Sequence, residues 1–145
     1  MKITLLAAAA ALLCVACAGT TPQRQAGSPA LAPCPSSPNC VSSLDPDPSH
    51  RVDPLPLRGA ANAGIADLKR LVAGMPRARV AAEGSGYLRA EFKSLIFRFV
   101  DDVEFLVDEA AGVIHIRSAS RVGSSDLGVN RSRVEQIHRI WAAGR

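Results

Sequence analysis

From residue 87 onward, apolar and charged side chains take turns: Leu88, Ala90 and Phe92 alternate with Arg89, Glu91 and Lys93. A period of two puts successive side chains on opposite faces of a strand and cannot build the stripe of a helix. The alternation returns at Val103, Phe105 and Val107, and again at Ile114 and Ile116, where His115 and Arg117 take the other face. An antiparallel sheet with one core face and one wet face accommodates this pattern. Residues 79–83 read as a further strand, joined to the next by the hairpin turn Gly84-Ser85-Gly86. Residues 95–100 read as a more apolar stretch with Phe97 and Phe99 inward, interrupted by Asp101-Asp102 as a turn or bulge. Glu109-Ala110-Ala111-Gly112 then turns the chain.

Helical spacing flanks the sheet. Ile65, Leu68, Leu71 and Val72 make an apolar stripe over residues 60–74, with Asn62 as its cap and Gly74 and Pro76 as its stop. Val134, Ile137, Ile140 and Trp141 make a second over residues 130–142, capped by Asn130 or by Ser132 with Glu135. His138 falls at the border of that stripe. The expected fold is α+β: one small domain, an antiparallel sheet of about four strands flanked by an N-terminal and a C-terminal helix. Some 110 residues, or about that number, suffice for a single core.

The chain ahead of the domain reads as export machinery. Lys2 precedes an apolar run, residues 3–15, too short to span a bilayer comfortably and sized for a signal-peptide core. Cutting before Cys17 makes residues 1–16 a signal peptide and Cys17 an acylated lipoprotein anchor. Cutting after Ala18 releases a soluble periplasmic protein. Both cuts export the chain, and the first places it on the periplasmic or extracellular side of a membrane. Residues 17–33, rich in Pro, Ala and small polar residues, read as a flexible tether. Residues 34–145 form the domain, beginning with an irregular Pro-rich arm, 34–57, in which Val52, Leu55 and Leu57 need burial. In an oxidising compartment Cys34 and Cys40 pair as a disulfide by default.

Charge excludes some functions. A net +4 without interleaved aromatics does not suit nucleic acid. Asp45, Asp47 and His50 have metal-ligand spacing, but Asp-Pro steps ordinarily start turns and nothing nearby completes a shell, so no metal or other cofactor is expected. Serine is abundant, yet no G-x-S-x-G is present, and no catalytic residue is assigned. A small hydrolase using His50 or His115 with Asp126 stays open as an alternative. The wet face, with Arg89, Glu91, Lys93, Arg98, His115 and Arg117, is either a solvated surface with charges paired across strands or the polar floor of a pocket.

Residues 114–133 concentrate the remaining chemistry. They leave a strand, cross a Ser/Gly-rich turn and enter the last helix, and residues 113–145 hold six arginines against Asp126 and Glu135. Arg131 and Arg133 stand in the helix's first turn, where positive charge opposes the dipole unless something negative is present. Asp126, pairing with Arg121 or Arg131, supplies it internally; a bound phosphate or carboxylate is the other solution. Arg117, Ser118, Ser120, Arg121, Gly123, Asp126, Asn130 and Arg131 are the candidate anion site. The expected partners are a membrane, through the lipid anchor, and an anionic small molecule, lipid headgroup or envelope protein. The expected role is non-catalytic binding, with a purely structural envelope protein as a further alternative.

S-P-N-C-V-S-S at 37–43, F-R-F-V-D-D-V-E-F at 97–105 and I-R-S-A-S-R-V-G-x-S-D-L-G-V-N-R-x-R-V at 116–134 together resemble the domain-of-unknown-function family 1499, with Ser124 at a position where the family pattern suggests an aromatic or variable residue. The resemblance runs from about Cys34 to Trp141. It implies an exported or membrane-associated protein without an assigned activity. It singles out Asn39, Cys40, Ser118, Ser120, Arg121, Gly123, Asp126, Gly128, Asn130 and Arg131 as candidate positions.

Overall fold

A computed structural model describes residues 31–144. The expected signal peptide, the Cys17 anchor and the tether up to residue 30 lie outside the described residues. The elements run β1 (Cys40–Ser42), β2 (Leu55–Pro56), α1 (Ala61–Ala73), β3 (Ala78–Gly84), β4 (Tyr87–Lys93), β5 (Val100–Asp108), β6 (Val113–Ser120) and α2 (Val129–Ala143). Strands pair in the order β1-β6-β5-β4-β3, all antiparallel, and β2 lies beside β1 along the same edge of β6. The α+β class and the two flanking helices agree with the sequence reading. The sheet is wider than expected because the Pro-rich arm contributes β1 and β2.

Alternation explains the core. Leu88, Ala90 and Phe92 of β4, Val103 and Phe105 of β5, and Ile114 and Ile116 of β6 meet Ile65, Leu68 and Val72 of α1 and Val134, Ile137 and Trp141 of α2 in one buried cluster. Both helices therefore pack on one sheet face. Leu55, from the arm, is fully buried in the same cluster, with Val52 and Leu57 packed at its edge. Cys34 and Cys40 form a disulfide that closes the start of the arm. Leu31, within the expected tether, packs against Tyr87 and Leu106 on the opposite face.

Several local elements differ from the sequence expectation. Asp101 and Asp102 are not a turn; both lie in β5, paired with Ser120 and Ala119 of β6. The turn comes earlier. Lys93 is already opposite Val100, and Ser94 and Phe99 close the loop through Ser94 N–H to Phe99 O (2.8 Å) and Phe99 N–H to Ser94 Oγ (2.9 Å). Phe97 and Phe99 consequently face solvent, 73% and 51% exposed, rather than the core. The caps differ too. Asn62 does not cap α1; Ala60 stands at its N-cap, and the Ala61 N–H is taken by Glu109 from the β5–β6 turn at 3.2 Å. Neither Asn130 nor Ser132 caps α2, which starts at Gly128 in the left-handed conformation (φ 79°) that glycine adopts freely.

Candidate functional site

The turn between β6 and α2 is organised by one carboxylate and one amide. Asp126 accepts the backbone N–H groups of Gly128 (3.0 Å) and Asn130 (2.7 Å), placing a negative charge at the helix start. Asn130, 1% exposed, ties together everything around it. The two hydrogens of its Nδ2 are shared among Asp126 (2.7 Å), Ser120 Oγ (3.0 Å) and the Asn39 carbonyl (3.0 Å), while its Oδ1 accepts from Ser118 Oγ (2.5 Å) and Arg133 (2.7 Å). Asn39 in turn donates to the Gly123 carbonyl at 2.6 Å. Ser118, Ser120, Gly123, Asp126 and Asn130 are thus brought into one hydrogen-bonded joint, with Asn39 completing it.

The arginines of the candidate site go elsewhere. Ser118 and Ser120 face α2, so the alternation of β6 sends Arg117 and Arg121 to the opposite side. Arg121 donates to Asp102 through Nε (2.6 Å) and Nη2 (2.8 Å) and to Glu91 through Nη2 (2.6 Å). Arg117 donates to buried Glu104 at 3.1 Å, and Glu104 also accepts from the Tyr87 hydroxyl at 2.9 Å. Arg117 Nε is buried and has no hydrogen-bond partner among the described residues. Arg131 reaches back to the arm, donating to the carbonyls of Ser49 (2.7 Å) and Arg51 (3.0 Å). The helix-start conflict is therefore met by Asp126 acting on backbone N–H groups, without an Asp126–arginine pair.

The face read as wet is a buried ion network. Asp102 is 0% exposed and bonds Arg89 (2.7 Å) as well as Arg121; Glu91 adds Arg79. Burial pushes the Glu91 carboxyl up, but the Arg121 hydrogen bond and the charges of Arg121, Arg79 and Arg89 outweigh it and hold Glu91 below the usual carboxylate value. The Asp102 hydrogen bond keeps Arg121 firmly protonated against the opposing effect of burial, with Glu91 reinforcing it. These charges are mutually satisfied.

The histidines are also engaged. His50 Nδ1 donates to the Cys40 carbonyl (2.8 Å), and His138 Nε2 to the Asp53 carbonyl (2.9 Å). Asp45 accepts the N–H groups of Cys34 (3.1 Å) and Asp47 (3.0 Å), and Asp47 that of Ser49 (2.8 Å), so this Asp-rich stretch organises turns. The backbone hydrogen bond from Ser49 is the main cause lowering the Asp47 pKa. His115 does not meet Asp126; it sits between Ser43 Oγ (Nδ1, 3.2 Å) and Asp108 (Nε2, 3.7 Å). That Ser-His-Asp line was not legible in the sequence. Its hydroxyl accepts the Ile116 N–H at 3.0 Å and Ser43 is buried, which suits a strand clamp better than a nucleophile.

Free positive charge gathers at the outer wall of the same turn. A cleft of about 550 Å³ lies between the start of α2, the end of β4 and the α1–β3 turn. Its lining includes Arg77, Lys93, Arg133 and Arg139 against a single acid, Asp101. Asp101 is held by Arg133 at 2.6 Å, and the Arg133 guanidinium lies 4.8 Å from the Phe92 ring centroid. Arg77, Lys93 and Arg139 are exposed and have no ion-pair partner among the described residues. This cleft is not legible in the sequence, because its cations come from three separate segments.

The family model described as protein of unknown function (DUF1499) matches residues 30–140. The chain belongs to the DUF1499 family. No curated protein and no solved structure matches it. Most of the motif positions suggested by the resemblance, Asn39, Cys40, Ser118, Ser120, Gly123, Asp126, Gly128 and Asn130, fall at the β1–β6–α2 joint of this DUF1499 domain, with Arg121 on the far sheet face and Arg131 on the arm.

Proposed function

We propose that this DUF1499 protein is a non-catalytic module of the cell envelope that binds an anionic ligand in the cleft beside the β6–α2 turn. One observation carries the reading: Arg77, Lys93 and Arg139 converge on a cavity of about 550 Å³ whose single acid is already neutralised by Arg133. Unpaired cations around a concave surface attract a phosphate or carboxylate, and the effect weakens as salt screens it. The Phe92 and Leu95 side chains of the same lining provide an apolar wall. Placement in the envelope is supported by the signal-like leader and by Cys17, whose acylation would tether the domain to a membrane.

Thermal unfolding with glycerol phosphate as probe tests the binding. The melting temperature should rise with ligand and fall back as salt is added. Lys93→Ala with Arg139→Ala should abolish the rise while leaving the ligand-free melting temperature within a degree or so, or about the scatter expected for exposed, unpaired side chains. An undiminished rise in the double variant would remove the cleft from consideration. Palmitate labelling of wild type and Cys17→Ser tests the anchor; equal labelling rejects it.

A further inference from the structure

The rim of the cleft exposes an unusual amount of apolar surface. Leu95, Ile96 and Phe97 are 70%, 78% and 73% exposed, and Leu127 is 96% exposed. These residues are neighbours: Leu95 and Leu127 line the same cleft, and Phe97 stacks on Phe99 with ring centroids 5.5 Å apart. Singly exposed hydrophobics are ordinary, but a run of them at a loop tip marks a surface that meets something apolar. Cations surround the run. Arg77, Lys93 and Arg98 line a second cavity of about 230 Å³ on the other side of the β4 end, so basic side chains border the apolar loop on both flanks.

The backbone supplies an independent observation. Among the described residues, the non-glycine residues with positive φ are Arg77 (57°), Arg98 (58°) and Leu127 (54°). Arg77 and Leu127 line the cleft, and Arg98 lies in the apolar loop beside it. Glycine would take that conformation without strain, yet long cationic or apolar side chains occupy each position. Non-glycine residues in this strained conformation cluster at ligand clamps and other functional sites.

We propose that this end of the sheet docks onto the interfacial region of an anionic phospholipid bilayer. The tip of the β4–β5 loop and Leu127 enter the boundary between headgroups and acyl chains. Arg77, Lys93, Arg98 and Arg139 meet the headgroup phosphates, the ligand class this assigns to the cleft, so the inference rests on the anion-binding reading above. Apolar insertion and cationic attraction reinforce each other at such a surface. Charge argues against a second copy as the occupant, because a two-fold contact would set these unpaired cations against themselves. An anchor at Cys17 is geometrically compatible. Leu31 packs at the Tyr87–Leu106 end of the sheet, about 20 Å along β5 from the base of the loop, and the chain from Cys17 to Leu31 reaches at most about 50 Å.

The test uses the full chain with Ile96→Trp. The native Trp141 is buried, 4% exposed, and stays out of reach of lipid. With phosphatidylglycerol–phosphatidylcholine vesicles whose acyl chains are brominated, the tryptophan at position 96 should be quenched and blue-shifted. Ala111→Trp, in the turn at the far end of β5, should not be. Lys93→Ala with Arg98→Ala should lower vesicle affinity at least about tenfold, and pure phosphatidylcholine should bind comparably weakly. An unquenched tryptophan at 96 in vesicle-bound protein would overturn the proposal. So would a blue shift that follows protein concentration without vesicles, which would assign the patch to a second copy. The two readings fail separately: a glycerol phosphate thermal shift without quenching leaves the cleft and removes the docking, whereas loss of that shift with quenching retained removes the soluble-anion reading alone.

Discussion

Replacing Arg121 by methionine keeps the apolar length of the side chain while deleting its hydrogen bonds to Asp102, at 2.6 and 2.8 Å, and to Glu91, at 2.6 Å. The side chain of Asp102 is 1% exposed, so water cannot replace the guanidinium. Breaking one side of a buried ion pair costs about 3–5 kcal/mol. Asp102 keeps Arg89 at 2.7 Å and Glu91 keeps Arg79, which puts the expected loss at the lower end, about 3 kcal/mol. In urea, with a slope of about 1.5 kcal/mol/M for a domain of this size, the midpoint should fall by about 2 M.

The same pair makes a pH-dependent claim. Glu91 is held below its ordinary value of 4.5 in the folded state. A carboxyl whose folded pKa is depressed contributes stability above its unfolded pKa and loses that contribution as pH falls through the folded one. Wild type should therefore lose this stability on acidification below about pH 4.5, and Arg121→Met, lacking the principal partner, should lose less of it. The gap between the two urea midpoints should narrow between neutral pH and about pH 4. Equal midpoints at neutral pH, or a gap that does not change with pH, would refute the account of the sheet face as a mutually satisfied ion network.

Other expectations follow from the same geometry. Asn130→Ala strips the joint of its central amide and should cost about 3 kcal/mol in chemical denaturation, since several buried groups lose partners at once. A loss below about 1 kcal/mol would mean the joint re-forms without it. Reducing the Cys34–Cys40 disulfide should cost about 2 kcal/mol, the small loop limiting the entropic gain, as read from unfolding with and without reductant. Leu127→Gly should not destabilise the domain and should gain up to about 1 kcal/mol in thermal unfolding, because it relieves a left-handed backbone at a side chain that packs on nothing. A clear loss of stability there would show that Leu127 supports the fold.

The core was readable because it rests on local periodicity. Leu88, Ala90 and Phe92 declare their face by alternation, and Ile65, Leu68 and Val72 declare theirs by helical spacing. Asp101-Asp102 was not readable as strand, since adjacent carboxylates suit β5 only with cations opposite, and those cations come from β4, from just beyond β6 and from α2. Their identity depends on register and packing, which no local window contains. Residues 95–99 misled for a different reason. Apolar character ordinarily implies burial, and Leu95, Ile96 and Phe97 break that rule together at one loop.

The arginines divide accordingly into two populations. Those of the 116–134 motif have partners within the domain: Arg117 bonds Glu104, Arg121 bonds Asp102 and Glu91, Arg131 bonds two arm carbonyls and Arg133 bonds Asp101. Using Arg121 for a ligand would require breaking contacts worth several kcal/mol to Asp102, a carboxylate that water cannot reach. Among the described residues, Arg77, Lys93, Arg98 and Arg139 have no ion-pair partner, and they surround the exposed apolar loop at the sheet's end. The motif is then best understood as the joint that holds β6, β1 and α2 in register, and through Arg133 and Asp101 it shapes one wall of the cleft. The unpaired cations outside it require no internal bond to break before they meet an anion, which is why the proposed binding site is placed on them.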